Sequence, residues 1–164
     1  MHLFPSAARR ERAPTRHVRS FRRSACALTA ILLLSSLFFV ALAHETRTVG
    51  PEDGPRYVLV FGMLNEPAFT GLRSGVDLIV RSEDGEPVEG LAGALTAEAT
   101  APTGATRTLD LRAAYGRPGA YVDDLVWSVP GTYQVRVHGF VGALEIDETF
   151  ETHTVRDVEE IRFP

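Results

Sequence analysis

Three of the five histidines, His44, His138 and His153, follow Ala43, and they are the residues here best suited to hold a cation. If the chain is cut after Ala43, His44 becomes the amino-terminal residue and offers its α-amine and a ring nitrogen to one metal in a closed chelate. An α-amine has a reference pKa near 8, far below that of lysine, so a metal displaces its proton at neutral pH at modest cost. Nitrogen donors of this kind favour Cu(II), which heads the divalent affinity order. Soft ligands are scarce: Met63 is the only methionine beyond Met1, and the single cysteine, Cys26, precedes the cut. A thiolate or thioether Cu(I) site is therefore not expected.

Carboxylates accompany both later histidines, Glu145 and Asp147 near His138, Glu151 and Asp157 near His153. A hairpin turn centred on residues 140–142 would put His138 opposite residue 144 and His153 opposite about residue 129. At roughly 3.3 Å per residue that separates them by about 30 Å, so one site cannot use both. A mobile arm could carry His44 to either. His138 is favoured, because it ends the clearest outward-facing set and has Gly139 beside it. The expected metal ligands are thus His44, His138 and Asp147, with Cu(II) as the ion.

The cut itself is read from the leader. Seven arginines, from Arg9 to Arg23, precede an apolar run over residues 25–43 that closes on Ala41-Leu42-Ala43. Basic start, apolar middle and small-residue end form the pattern of a secretory signal peptide. Retained, a run of about 19 residues at ~1.5 Å each would nearly span a bilayer core. Either outcome places the remainder outside the cytoplasm, periplasmic, secreted or surface-held. A lipoprotein is not indicated, since Cys26 stands at the start of the apolar run.

The elements that must position the histidines read as strands. Residues 44–56 are polar and broken by Gly50-Pro51 and Gly54-Pro55, which suggests a flexible arm. Seven strand-like runs follow, at 57–63, 75–81, 91–99, 105–113, 120–127, 132–139 and 144–154, with turn chemistry between them and a tail over 155–164. The fold class is all-β: a single immunoglobulin-like antiparallel sandwich over residues 57–154. In the sixth run Tyr133, Val135 and Val137 should face the core, and Gln134, Arg136 and His138 solvent. Trp127, the one tryptophan, should lie between the sheets. Asp123 falls on the same face as Tyr121 and Leu125, which places a carboxylate among apolar neighbours.

Charge removes whole classes of function. Seven of 17 basic and one of 21 acidic residues lie in residues 1–43, so the remainder carries ten against 20, a net charge of about −10. Nucleic acid and anionic lipid would be repelled. No Gly-rich phosphate loop, G-x-S-x-G elbow or H-E-x-x-H pair is present, and no enzyme is expected.

The start Ala43-His44-Glu45 and the stretch Pro130-Gly131-Thr132-Tyr133-Gln134-Val135-Arg136-Val137 resemble the exported CopC-like and YtkA-like copper-handling domains, which are small immunoglobulin-like sandwiches. The resemblance implies that His44, as mature terminus, binds Cu(II) with a later histidine and an aspartate. The family's Asp-Gly-His-Pro turn is replaced here by Gly139-Phe140-Val141-Gly142, so the second histidine is not assigned by it. Asn65-Glu66-Pro67 and Asp147-Glu148-Thr149-Phe150 also resemble segments of uncharacterised exported proteins. The expected role is a Cu(II)-binding accessory or carrier, with a membrane-bound copper transporter or oxidase as partner. The alternative is a metal-free envelope interaction module.

Overall fold

Side-chain alternation decides which face of each strand is dry, and here it does so differently in two sheets. The computed structural model describes residues 44–164; the leader expected over residues 1–43 lies outside the described residues. The strands are β1 (Glu45–Val49), β2 (Tyr57–Met63), β3 (Arg73–Ser82), β4 (Leu95–Thr100), β5 (Thr106–Leu109), β6 (Arg112–Ala113), β7 (Ala120–Val126), β8 (Gln134–Val141) and β9 (Leu144–Glu151). All pair antiparallel, in one sheet of order β1-β2-β3-β7-β6 and a second of order β5-β4-β8-β9. Apart from β1, this is the strand order of an immunoglobulin-like sandwich.

The second sheet follows the simple rule. Val135 and Val137 are fully buried while Gln134 and Arg136 face solvent, and Ile146 and Phe150 of β9 point inward between exposed acids. The first sheet has apolar residues on both faces. In β2, Leu59, Phe61 and Met63 fill the core, and Val58 and Val60 on the outer face are half-buried. Phe61 and Phe150 stack across the sandwich with ring centroids 5.1 Å apart. Trp127 and Tyr133 meet at 4.5 Å farther along the core, and Trp127 is buried as expected.

Tyr133 also closes the connection into β8. Its hydroxyl donates to the Val129 carbonyl at 2.8 Å and accepts from the Val129 amide at 3.1 Å, the tyrosine corner of sandwich folds. Pro130 and Gly131 lie inside this corner, which is why the Pro-Gly-Thr-Tyr stretch recurs in such domains.

Two expectations are corrected. Residues 45–49 are not a mobile arm: they form β1, in register with β2 from Glu45↔Phe61 to Val49↔Tyr57. Their polarity reflects an edge position, with Thr46 and Thr48 facing out and Arg47 set 5.9 Å over the Phe150 ring at the seam between sheets. The run at 105–113 is two strands in different sheets, and the chain crosses between them at Asp110-Leu111. This crossing explains Asp123, whose carboxylate accepts the Asp110 amide at 3.1 Å.

Replacing Trp127 with alanine should lower unfolding free energy by about 3–5 kcal/mol. Tyr133→Phe, which leaves both Val129 backbone groups without their partner, should cost about 1–3 kcal/mol. Both are read from denaturant melts, the first by circular dichroism and the second by Trp127 fluorescence.

Candidate functional site

His44 immediately precedes β1 and would continue its pairing to Gly62 of β2. That glycine is needed for space: a Cβ there would stand 2.2 Å from His44 Cδ2 and 2.6 Å from Nε2, so the imidazole lies directly on the β2 backbone. Glu45 then fixes the strand laterally. Its carboxylate accepts the Glu151 amide of β9 at 3.0 Å, linking the edges of the two sheets, and it also pairs with Arg47.

The residues brought to His44 are Glu66 and His153. All three line a cleft of about 490 Å³, with Phe61 and Gly62 of β2 and Glu151 and Thr152 at the end of β9. Glu66 stands in the turn after β2, where its Oε1 accepts the Met63 amide at 3.2 Å. Its other oxygen, Oε2, is buried, has no hydrogen-bond partner, and lies 3.6 Å from His153 Nδ1. His153 is half exposed. Thr152 beside it is buried, and its Oγ1 accepts the Tyr133 amide at 3.0 Å. The chain leaving β9 is therefore held at residue 152, and His153 turns toward the cleft. Leaving a buried carboxylate oxygen unpaired costs free energy, so Glu66 Oε2 marks a place for a proton donor or a cation.

The expected trio of His44, His138 and Asp147 is not brought together. His138 and Asp147 do face each other, as direct partners on the outer face of the second sheet. Asp147 is already engaged by Arg136, whose Nε and Nη2 donate to its two oxygens at 2.7 and 2.6 Å. That bidentate contact, then the Arg136 charge and a smaller contribution from His138, holds the Asp147 carboxyl below its usual range against a partial desolvation. The pair stands roughly 14 Å along β9 from Glu151, which lines the cleft.

The hairpin register explains the misplacement. The loop is Gly142-Ala143 alone, closing on Val141↔Leu144, with Gly142 at φ 62°, as the first position of a type II′ turn requires. His138 thus meets Asp147 rather than residue 144, and His153 falls about six residues farther along, roughly 20 Å away. His138 and His153 are too far apart to share a site, as expected, and the one that lines a cleft with His44 is His153. Glu66 is not among the expected ligands; its only sequence signal is the Asn65-Glu66-Pro67 turn. Among the described residues no group of three or more His, Cys, Asp or Glu side chains is close enough to hold a metal.

Asp147 generates a pH test. A carboxyl whose folded pKa is depressed contributes stability that is present above its unfolded pKa and lost as pH falls through the folded one. Because both side chains are about half exposed to solvent, the effect on stability should be small. Arg136→Ala should return the Asp147 carboxyl to the ordinary range in an NMR titration, and it should leave His44 and His153 resonances unmoved.

No protein-family model matches the chain, and no curated protein matches it. Among solved structures, a DUF4426 family protein from Pseudomonas aeruginosa PAO1 is similar at 16% identity and a TM-score of 0.49, over 67% of this chain and 96% of that one. A similarity of that size says nothing about ligand or activity, so the chemistry rests on the cleft itself.

Proposed function

We propose that this is an exported, non-catalytic domain that binds one Cu(II) at the β1 edge of the sandwich, through the α-amine and imidazole of His44 with His153 and Glu66. The observation that carries the reading is the buried, partnerless Glu66 Oε2 beside His153 Nδ1 in the cleft that His44 also lines. The donors fit the ion in kind: neutral imidazole, amine and carboxylate suit Cu(II) better than any soft-ligand metal. As they stand, the His44, His153 and Glu66 side chains are not close enough to form a three-ligand group, so His44 must close on the other two when the ion binds. Cleavage after Ala43 would add the α-amine as a further donor, whereas the amide nitrogen of an uncleaved His44 still carries its proton and would have to lose it before it could ligate.

His153 and Glu66 here replace His138 and Asp147, since Asp147 would have to give up both bonds to Arg136 before it could ligate. A carrier role toward a membrane-bound copper transporter or oxidase agrees with a half-exposed second histidine, from which the ion can be passed on. A simpler account of the same contact is an ion pair between protonated His153 and Glu66, which would leave the protein an envelope interaction module.

Calorimetric titration of protein beginning at His44 should give one Cu(II) per chain, with a tetragonal nitrogen-rich signal in electron paramagnetic resonance. One extra residue before His44 should weaken binding by about a hundredfold, ~3 kcal/mol. His153→Ala and Glu66→Gln should each cost about tenfold, ~1.4 kcal/mol, while His138→Ala and Asp147→Asn change nothing. Equal affinity in the extended protein would refute the terminal chelate. No binding at micromolar copper would leave the interaction module as the better reading.

A further inference from the structure

The opposite lateral side of the sandwich, between β5 and the end of β7, is open. The crossing at Asp110-Leu111 covers only half of it, and β6 pairs no farther along β7 than Val122. Beyond that point a cleft of about 190 Å³ enters between the sheets. Its depth follows from composition: Ala99 and Ala101 stand where larger side chains would fill the space against Trp127 and Tyr133, and Leu109 and Leu125 make the remaining apolar wall. The volume is below the 300–1,000 Å³ usual for drug-sized ligands and would suit a short chain or a single ring.

Two polar groups in this wall lack partners. Trp127 is 2% exposed, and its Nε1–H is buried with no acceptor. Arg107 lies opposite Ala99 in the β4–β5 register, two residues from buried Leu109, so it occupies the inward face of an edge strand at the mouth of the cleft. It is exposed and makes no ion pair with any described residue, in a domain where acids outnumber bases two to one. An inward arginine on an edge strand can serve simply to prevent strand pairing between molecules. That role does not require an apolar recess behind it.

We infer that this cleft binds a small apolar carboxylate, a medium-chain fatty acid or an aryl acid, with its hydrocarbon part between the alanines and Trp127 and its carboxylate on Arg107. Charge complementarity selects the headgroup, since a guanidinium pairs with a carboxylate in two parallel bonds. The site is independent of the copper reading, because none of its residues lines the His44 cleft.

Trp127 is the only tryptophan, so its fluorescence reports the cleft directly. Octanoate, titrated below its micelle concentration, should change the emission saturably, and octan-1-ol should bind at least fivefold more weakly. Arg107→Ala, at an exposed position, should lose the preference for octanoate. Ala101→Leu, checked for folding by circular dichroism, should fill the cleft and abolish the response. Equal binding of alcohol and acid, or an unchanged preference in Arg107→Ala, would overturn carboxylate recognition. No saturable change with octanoate would reduce the cleft to a packing gap guarded by an edge arginine.

Discussion

The stack of Phe61 on Phe150 joins the two sheets at the side where the histidines gather, and the placement of the candidate site is referenced to it. Phe61 sits in β2 with His44 laid over the next residue, and Phe150 sits in β9 three residues before His153. An aromatic pair of this kind adds about 0.5–1.5 kcal/mol beyond the area it buries. Its larger effect is geometric, since it sets the strands of one sheet against those of the other. Arg47 over Phe150 and Glu45 on the Glu151 amide then seal the seam from outside, which turns a polar pentapeptide into an edge strand. Without that lateral closure His44 would have no defined relation to Glu66 or His153.

The two seams of the sandwich are closed by different means, and the difference accounts for the two clefts. At the β1–β9 side the closure is polar, and the cleft beyond it holds imidazoles and carboxylates. At the β5–β7 side the chain itself crosses at Asp110-Leu111, Asp123 satisfies the crossing amide, and the uncovered half shows apolar core. Ala99 on β4 and Ala101 just after it leave that space open beside Trp127 and Tyr133.

Ion pairs are many but mostly exposed, and they decide orientation more than stability. Arg136 on Asp147 removes a carboxylate from the ligand pool, and Arg73 and Arg112 do the same to Asp124 on the other sheet. Exposed pairs of this sort contribute little to stability, because solvent screens the charges and the long side chains lose freedom in forming them. Their consequence for function is that a carboxylate close to a histidine in sequence is often committed elsewhere. Glu66, distant from both cleft histidines in sequence, has one oxygen on a backbone amide and the other buried without a hydrogen-bond partner.

Period-two alternation and turn residues determined, before any coordinates, that the chain is an antiparallel sandwich with Val135, Val137, Tyr133 and Trp127 inside, because those signals are local and repeat along each strand. The leader's cleavage pattern indicated His44 as the residue with distinctive chemistry, and the spacing of the last two runs put His138 and His153 too far apart to share a site. Tertiary structure alone decided which histidine lines a cleft with His44. The β8–β9 register turns on a two-residue loop, a one-residue shift moves every partner, and the loop length was not legible in Gly139-Phe140-Val141-Gly142. Glu66 is 22 residues from His44 and 87 from His153, a relation that no local pattern encodes. The strand at 45–49 stayed hidden for the same reason: what it packs on, β2 beside it and the Phe150 ring of the other sheet, lies elsewhere in the chain, so its own sequence carries only the polarity of an edge.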